Sequence, residues 1–195
     1  VARKHLEQII PESNFPKILS ILKFEGDKGP DSIKRKSPFV DEPWHFFHPE
    51  DDEDTLILDQ IMHHYNGLVE ALKENNDVKS SFEAAWLAHA VVDGLTPAHQ
   101  DGFSEESKKL RGQNEDRELN KKDKILMHGD SKKEKIINNW KMWGPQGLLT
   151  YHVKFELGFA SLIAPLKFSE VRLKKKSLKY INNKNVPAWY RDVAK

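Results

Sequence analysis

Cysteine is absent from all 195 residues. That excludes disulfides, thiolate metal sites and a cysteine nucleophile, so any metal must be held by His, Asp, Glu or backbone groups. No apolar run approaches the roughly 18 residues that a membrane span requires. The opening stretch, broken by Glu7, Pro11, Glu12 and Pro16, does not read as a signal peptide. Net charge is nearly absent as well. With 31 Lys and Arg against 30 Asp and Glu the balance is +1, which exerts no global pull toward nucleic acid or an anionic membrane.

The length suits one domain with a sizeable core, taken here as residues 1 to 195. The first residue is Val1 rather than Met, and removal of an export signal is one origin of such a start. A soluble secreted or cell-envelope protein is therefore expected. Nine histidines are the notable asset of the composition.

Apolar spacing is helical in almost every readable segment and strand-like alternation is nowhere sustained, so the fold class is all-α, with about five to seven helices. A short helix is expected from Pro16 through Leu22, capped by Ser13 or Asn14 and ended by Gly26, Gly29 and Pro30. The stretch Lys28 to Asp54 holds Pro30, Pro38, Pro43 and Pro49 without periodicity and reads as a long ordered loop, of the kind that is more often functional than idle. From Asp54 the set Ile57, Leu58, Ile61, Tyr65, Leu68, Val69 and Leu72 marks one helix face that closes near Asn75. The next helix, capped by Ser80 or Ser81, shows Phe82, Ala85, Trp86, Ala88 and Val92 and is stopped by Gly94 and Pro97. Residues 100 to 135 are rich in charged and amide side chains and read as a solvated excursion. An amphipathic helix follows from about Leu148 to Leu162, and beyond Pro165 one more short helix is expected around Leu173 and Leu178, with a wet basic face.

The chemistry-bearing residues fall into pairs. His89 and Asp93 are four apart and share a helix face, and His99 follows just past the break at Pro97. Taken alone, a histidine on an apolar helix is more often a hydrogen-bonded core residue than a ligand. His152 and Glu156 repeat the four-residue spacing among Tyr151, Phe155 and Phe159. A carboxylate against an apolar surface is costly unless compensated, and a cation is one common compensation, so the second pair strengthens the metal reading. In the proline-rich loop, Asp31 follows Gly29-Pro30, and His45 lies in Trp44-His45-Phe46-Phe47-His48-Pro49.

Taken in order, His45-Phe46-Phe47-His48-Pro49-Glu50-Asp51, His89-xxx-Asp93-xxxxx-His99 and His152-xxx-Glu156 resemble the zinc-dependent phospholipase C family in sequence and local spacing. The related single-strand-specific zinc nucleases share the arrangement with His-xxx-Asp as its last element, and Glu156 is the phospholipase-like choice. The resemblance implies an all-α domain with three zinc ions at the bottom of a cleft. It assigns Asp31, His45, His89 and Asp93 to the first ion and His99, His152 and Glu156 to the second. Asp93 would bridge toward a third ion held by His5 and by the main-chain amine and carbonyl of Val1. Two or three such cations can clamp a phosphodiester and lower the pKa of a water to about 7, with Asp31 as a candidate general base.

Three departures from the family accompany this match. His99 and His152 are separated by 52 residues, far more than in the phospholipases, so the charged stretch 100 to 145 looks like an insertion. The tail after Glu156 is short, and the family's usual first residue is Trp where this chain has Val1.

Lys34, three residues after Asp31, can contact a substrate phosphate or simply be a solvated lysine. Phe46 can line a head-group or base pocket, although an aromatic in such a run is more often core. His48, His63 and His64 are expected at the surface or behind the ligands, and His128 is expected to face water. Trp140 and Trp143 can form a membrane-touching lip, although helix packing is the favoured reading. The expected substrate is a phospholipid or other phosphodiester, with peripheral membrane contact possible and no protein partner. Nucleic acid enters only if the chain is a single-strand nuclease or 3′-nucleotidase. A third reading is a non-catalytic metal protein whose insertion plugs the cleft.

Overall fold

The computed structural model describes residues 14–26, 28–36, 43–100, 102–112, 125–166 and 185–195, and every regular element among them is helical. The α-helices are α1 (Ile18–Leu22), α2 (Pro30–Lys36), α3 (Leu56–Lys73), α4 (Asp77–Leu95), α5 (Phe103–Arg111), α6 (Lys132–Trp143), α7 (Leu148–Ile163) and α8 (Val186–Ala194). Short 3₁₀ turns at Pro43–His45 and Pro97–His99 carry two of the candidate ligands. No described helix is long and apolar enough to cross a membrane. The helix expected near Leu173 lies outside the described residues.

The pair α3 and α4 forms the frame. Ile57, Leu58, Ile61, Leu68 and Ala71 bury one face of α3 against Ala84, Ala85, Trp86 and Ala90 of α4, as the apolar spacing predicts. Asn75, with φ of 52°, turns the chain between them in the left-handed conformation that asparagine tolerates better than most residues. Asn14 does not cap α1; its side-chain amide donates to the carbonyl of Leu72 at 2.7 Å and to Oδ1 of Asn75 at 3.0 Å. Nor do Ser80 and Ser81 cap α4. Asn76 does so, accepting from the Lys79 amide at 3.0 Å, while both serine hydroxyls bond back to the Asp77 carbonyl inside the helix. Ala88 and Val92 face outward, away from the apolar face on which they were expected.

Three further expectations are corrected. The Lys28–Asp54 stretch is not wholly loop: Pro30 opens α2, where a missing N–H costs nothing, and Asp31 sits in the first turn beside the positive end of the helix. Gly94 does not stop α4 but lies within it, at a place where a Cβ would collide with the Tyr190 hydroxyl and with Ile57. Within 100 to 135, expected as a solvated excursion, the described residues form α5 and the start of α6, and Phe103, Ser107 and Met127 are buried there. His128 is half-buried, its amide donating to the Leu110 carbonyl at 3.2 Å and its own carbonyl accepting from Asn138 at 2.6 Å.

The closing helix α8 had no counterpart in the sequence reading. Tyr190 is buried and donates to the Val91 carbonyl at 2.7 Å, fastening α8 to the end of α4. Arg191 lies over the Phe47 ring at 5.1 Å and donates to the carbonyls of Pro49, Asp51 and Asp54. One guanidinium thus ties down the segment that follows His45, using donors in a fixed planar fork.

Candidate metal centre

Each candidate ligand is positioned by ordinary local structure. On α4 the four-residue spacing puts His89 and Asp93 on one face, and their side chains meet with Nε2 and Oδ2 3.1 Å apart. The 3₁₀ turn Pro97–His99 then reverses the chain and buries His99. Two main-chain links bind this turn to the Trp44–Phe47 segment: the Phe47 amide donates to the His99 carbonyl at 3.0 Å, and His99 Nδ1 bonds the His45 carbonyl at 2.7 Å. A carbonyl can only accept, so Nδ1 carries the proton and Nε2 keeps its lone pair for a ligand role.

Around His89 Nε2 stand His45 Nδ1 at 3.3 Å, Asp93 Oδ2 at 3.1 Å and Asp31 Oδ1 at 3.9 Å. Donors bound at about 2.0–2.1 Å to a four-coordinate cation stand about 3.3 Å apart, which the separations from His89 Nε2 approach, while Asp93 Oδ2 and His45 Nδ1 stand at hydrogen-bond distance, 2.7 Å. The second group has the same character. Glu156 Oε1 lies 3.0 Å from His99 Nε2 and 3.1 Å from His152 Nε2. In each of the sets Asp31–His45–His89 and His99–His152–Glu156 one donor atom per residue lies within 4.8 Å of the others. The chemistry of both sets, imidazole with carboxylate, suits a divalent cation.

Asp93 joins the groups. Its Oδ2 is 2.7 Å from His45 Nδ1 and 3.7 Å from His99 Nδ1 as well as 3.1 Å from His89. Burial alone would raise its pKa, but the imidazoles of His45 and His89 outweigh that and hold the carboxyl well below the ordinary carboxylate range. For His89 burial works against the charged ring, yet Asp93, Glu25 and Asp31 prevail and push it up to about 9. Metal-free, this ring carries a proton that a cation has to displace.

The histidines form the floor and two carboxylates the rim. The His45 side chain is fully buried, whereas those of Asp31 and Glu156 are 59% and 43% exposed. Trp44 stacks on the His45 ring at 3.8 Å, and Phe46 on the His99 ring at 5.5 Å. Phe46 is itself buried, placed beneath a candidate ligand.

Thus Asp31, His45, His89, Asp93, His99, His152 and Glu156, drawn from four separate stretches of chain, come together. Val1 and His5 lie outside the described residues, as does the side chain of Lys34. Two groups escaped the sequence reading. Glu25 places Oε2 3.7 Å from His89 Nδ1, on the side of the ring away from the other donors, a partner that no fixed spacing announces. Glu83 forms a buried pair with His64 at 2.7 Å, so His64 belongs to the interior; His63 is exposed and His48 half-buried. Trp140 and Trp143, expected to pack, are 69% and 44% exposed.

Comparison with known protein families, with curated proteins and with solved structures finds no match to this chain.

Proposed function

We propose that the protein is a zinc-dependent phosphoric ester hydrolase of the phospholipase C type, with Asp31, His45, His89 and Asp93 holding one ion and His99, His152 and Glu156 a second. The observation that supports this reading is that each of the sets Asp31–His45–His89 and His99–His152–Glu156 brings one donor atom per residue within 4.8 Å of the others. Two cations held close together would suit an ester carrying two or more phosphate oxygens.

Bound there, zinc would supply positive charge to the phosphate oxygens and lower the pKa of an attacking water to about 7. The residues of the chain supply the rest. The buried histidines hold fixed rings, with that of His99 locked in one tautomer by the His45 carbonyl. Asp31, exposed at the rim, would take a proton from a water approaching the phosphorus. A third ion, bridged by Asp93 toward Val1 and His5, belongs to the same proposal.

The exposure of Asp31 and Glu156 favours a reacting centre over a plugged structural one, since a substrate can reach both. The single-strand nuclease reading differs in substrate only. Measuring metal content together with hydrolysis of bis(p-nitrophenyl) phosphate, phosphatidylcholine and single-stranded DNA separates the possibilities. Zinc with turnover of the first two is expected, turnover of DNA alone would select the nuclease, and metal without any turnover would overturn the enzyme.

A further inference from the structure

One short stretch of chain reaches both ring nitrogens of His89. Glu25 lies in the turn that follows α1, and α2 begins soon after with Pro30 and Asp31. Asp31 Oδ1 stands 3.9 Å from His89 Nε2, and Glu25 Oε2 stands 3.7 Å from Nδ1 of the same ring. The position of Glu25 is fixed by its neighbours. Phe24 packs edge-on against Phe82 of α4, with ring centroids 5.7 Å apart. The Glu25 amide donates to the Leu22 carbonyl at 3.3 Å, and the Glu25 carbonyl lies against Gly29, where a Cβ would collide with it. Phe82 precedes His89 by two helical turns, so the anchor and the imidazole share one side of α4.

At 3.7 Å the contact is an ion-pair distance rather than a direct hydrogen bond, so what Glu25 offers the ring is charge. The two side chains are 34% and 13% exposed, which shields that charge in part from solvent. A neutral imidazole carries its proton on one nitrogen only. A carboxylate beside Nδ1 favours the proton there and leaves the Nε2 lone pair toward Asp31, His45 and Asp93. A cation on Nε2 makes the ring more positive, so the carboxylate stabilises the loaded ring more than the empty neutral one. The second group obtains the same tautomer by other means, from the His45 carbonyl behind His99.

We propose that Glu25 is a positioning residue for the first ion, keeping the His89 proton on Nδ1 and Nε2 free for the metal. The proposal rests on Asp31, His45, His89 and Asp93 forming a cation site, and it does not depend on which reaction that site serves.

The test is calorimetric titration of zinc into the chelator-stripped protein, with His89→Ala marking which binding event belongs to the first group. Glu25→Gln keeps the volume of the side chain and removes its charge. It should weaken the ion marked by His89→Ala by about 10–100-fold and leave binding at the second group unchanged. Glu25→Ala should weaken the same ion to a similar extent, because charge rather than packing is what both variants lose. Melts of the stripped proteins check that each variant is folded, and the Gln variant carries the test alone if the Ala variant is not. Wild-type affinity in Glu25→Gln, with or without a defect in Glu25→Ala, overturns the proposal and leaves Glu25 a packing residue beside an intact cation site. Equal weakening of both ions overturns it as well, in favour of a general disturbance of the fold. If His89→Ala binds every ion as the wild type does, the first group is no cation site, and the metal reading falls together with the proposal.

Discussion

The hydroxyl of Tyr190 lies where a side chain on Gly94 would have to be. That contact joins α8 to the end of α4 between two candidate ligands, for Asp93 precedes Gly94 and His99 follows it by five residues. Gln100 strengthens the same junction, donating to the carbonyls of Gly94 at 2.7 Å and Ala194 at 3.2 Å. Gly94→Ala is therefore expected to destabilise by about 1–3 kcal/mol, the cost typical of overpacking, even though alanine is the better helix former. Metal affinity should fall with it, because α8 must shift or Asp93 must. An unchanged melting temperature would show that Tyr190 moves aside freely.

The two ligand groups should respond unequally to loss of a carboxylate. Among the described residues Glu156 meets His99 and His152, whereas Asp93 faces His45, His89 and His99. After dialysis, Glu156→Gln should retain metal at the first group, while Asp93→Asn should retain less than Glu156→Gln does. Equal metal content in the two variants would contradict a shared role for Asp93.

Stability should depend on pH with opposite signs in the two metal states. In the chelated protein His89 titrates at about 9 against 6.5 for the unfolded chain. Its contribution is complete below pH 6.5 and is lost as the pH rises through 9, with a ceiling of about 3 kcal/mol. Metal binding instead requires that proton to leave, so the loaded protein should gain stability over the same interval. Thermal melts of both forms between pH 6.5 and 9 check this directly. Parallel curves would mean that no cation competes for His89.

How much was legible beforehand depended on whether the deciding contact was local. The face of α3 and part of that of α4 follow from apolar spacing, and the pairs His89–Asp93 and His152–Glu156 from one turn of helix; α7 forms where expected, but none of its residues is buried among the described ones. Helix α2 is hidden in the sequence because four prolines interrupt the stretch around it, although Pro30 suits a helix start. Nothing within a few residues of Glu25, Gly94 or Tyr190 tells what each will meet, since the partners His89 and Ile57 come from other helices. Asn76 and Ser80 are both chemically able to cap α4, and the helix begins at Asp77, so Asn76 takes the cap.

The pair His64–Glu83 offers a last, separate test, because it lies in the interior without serving the metal centre. The two side chains are 5% and 9% exposed and meet at 2.7 Å, and Gly67 leaves the room, since a Cβ there would strike the Glu83 carboxylate. Burial lowers the pKa of His64 more than the hydrogen bond and charge of Glu83 raise it, so the ring is neutral and its Nδ1 donates to the carboxylate. Glu83→Ala removes the acceptor and leaves a buried N–H unsatisfied, at a cost of about 2–4 kcal/mol. Glu83→Gln keeps an oxygen to accept that proton and should cost about 1 kcal/mol. Neither change touches a candidate ligand, so metal content should stay at the wild-type level in both, as measured by elemental analysis beside a urea melt. Loss of metal in the Gln variant would draw His64 and Glu83 into the metal centre, and an Ala variant as stable as wild type would remove the pair from the list of groups that hold α3 to α4.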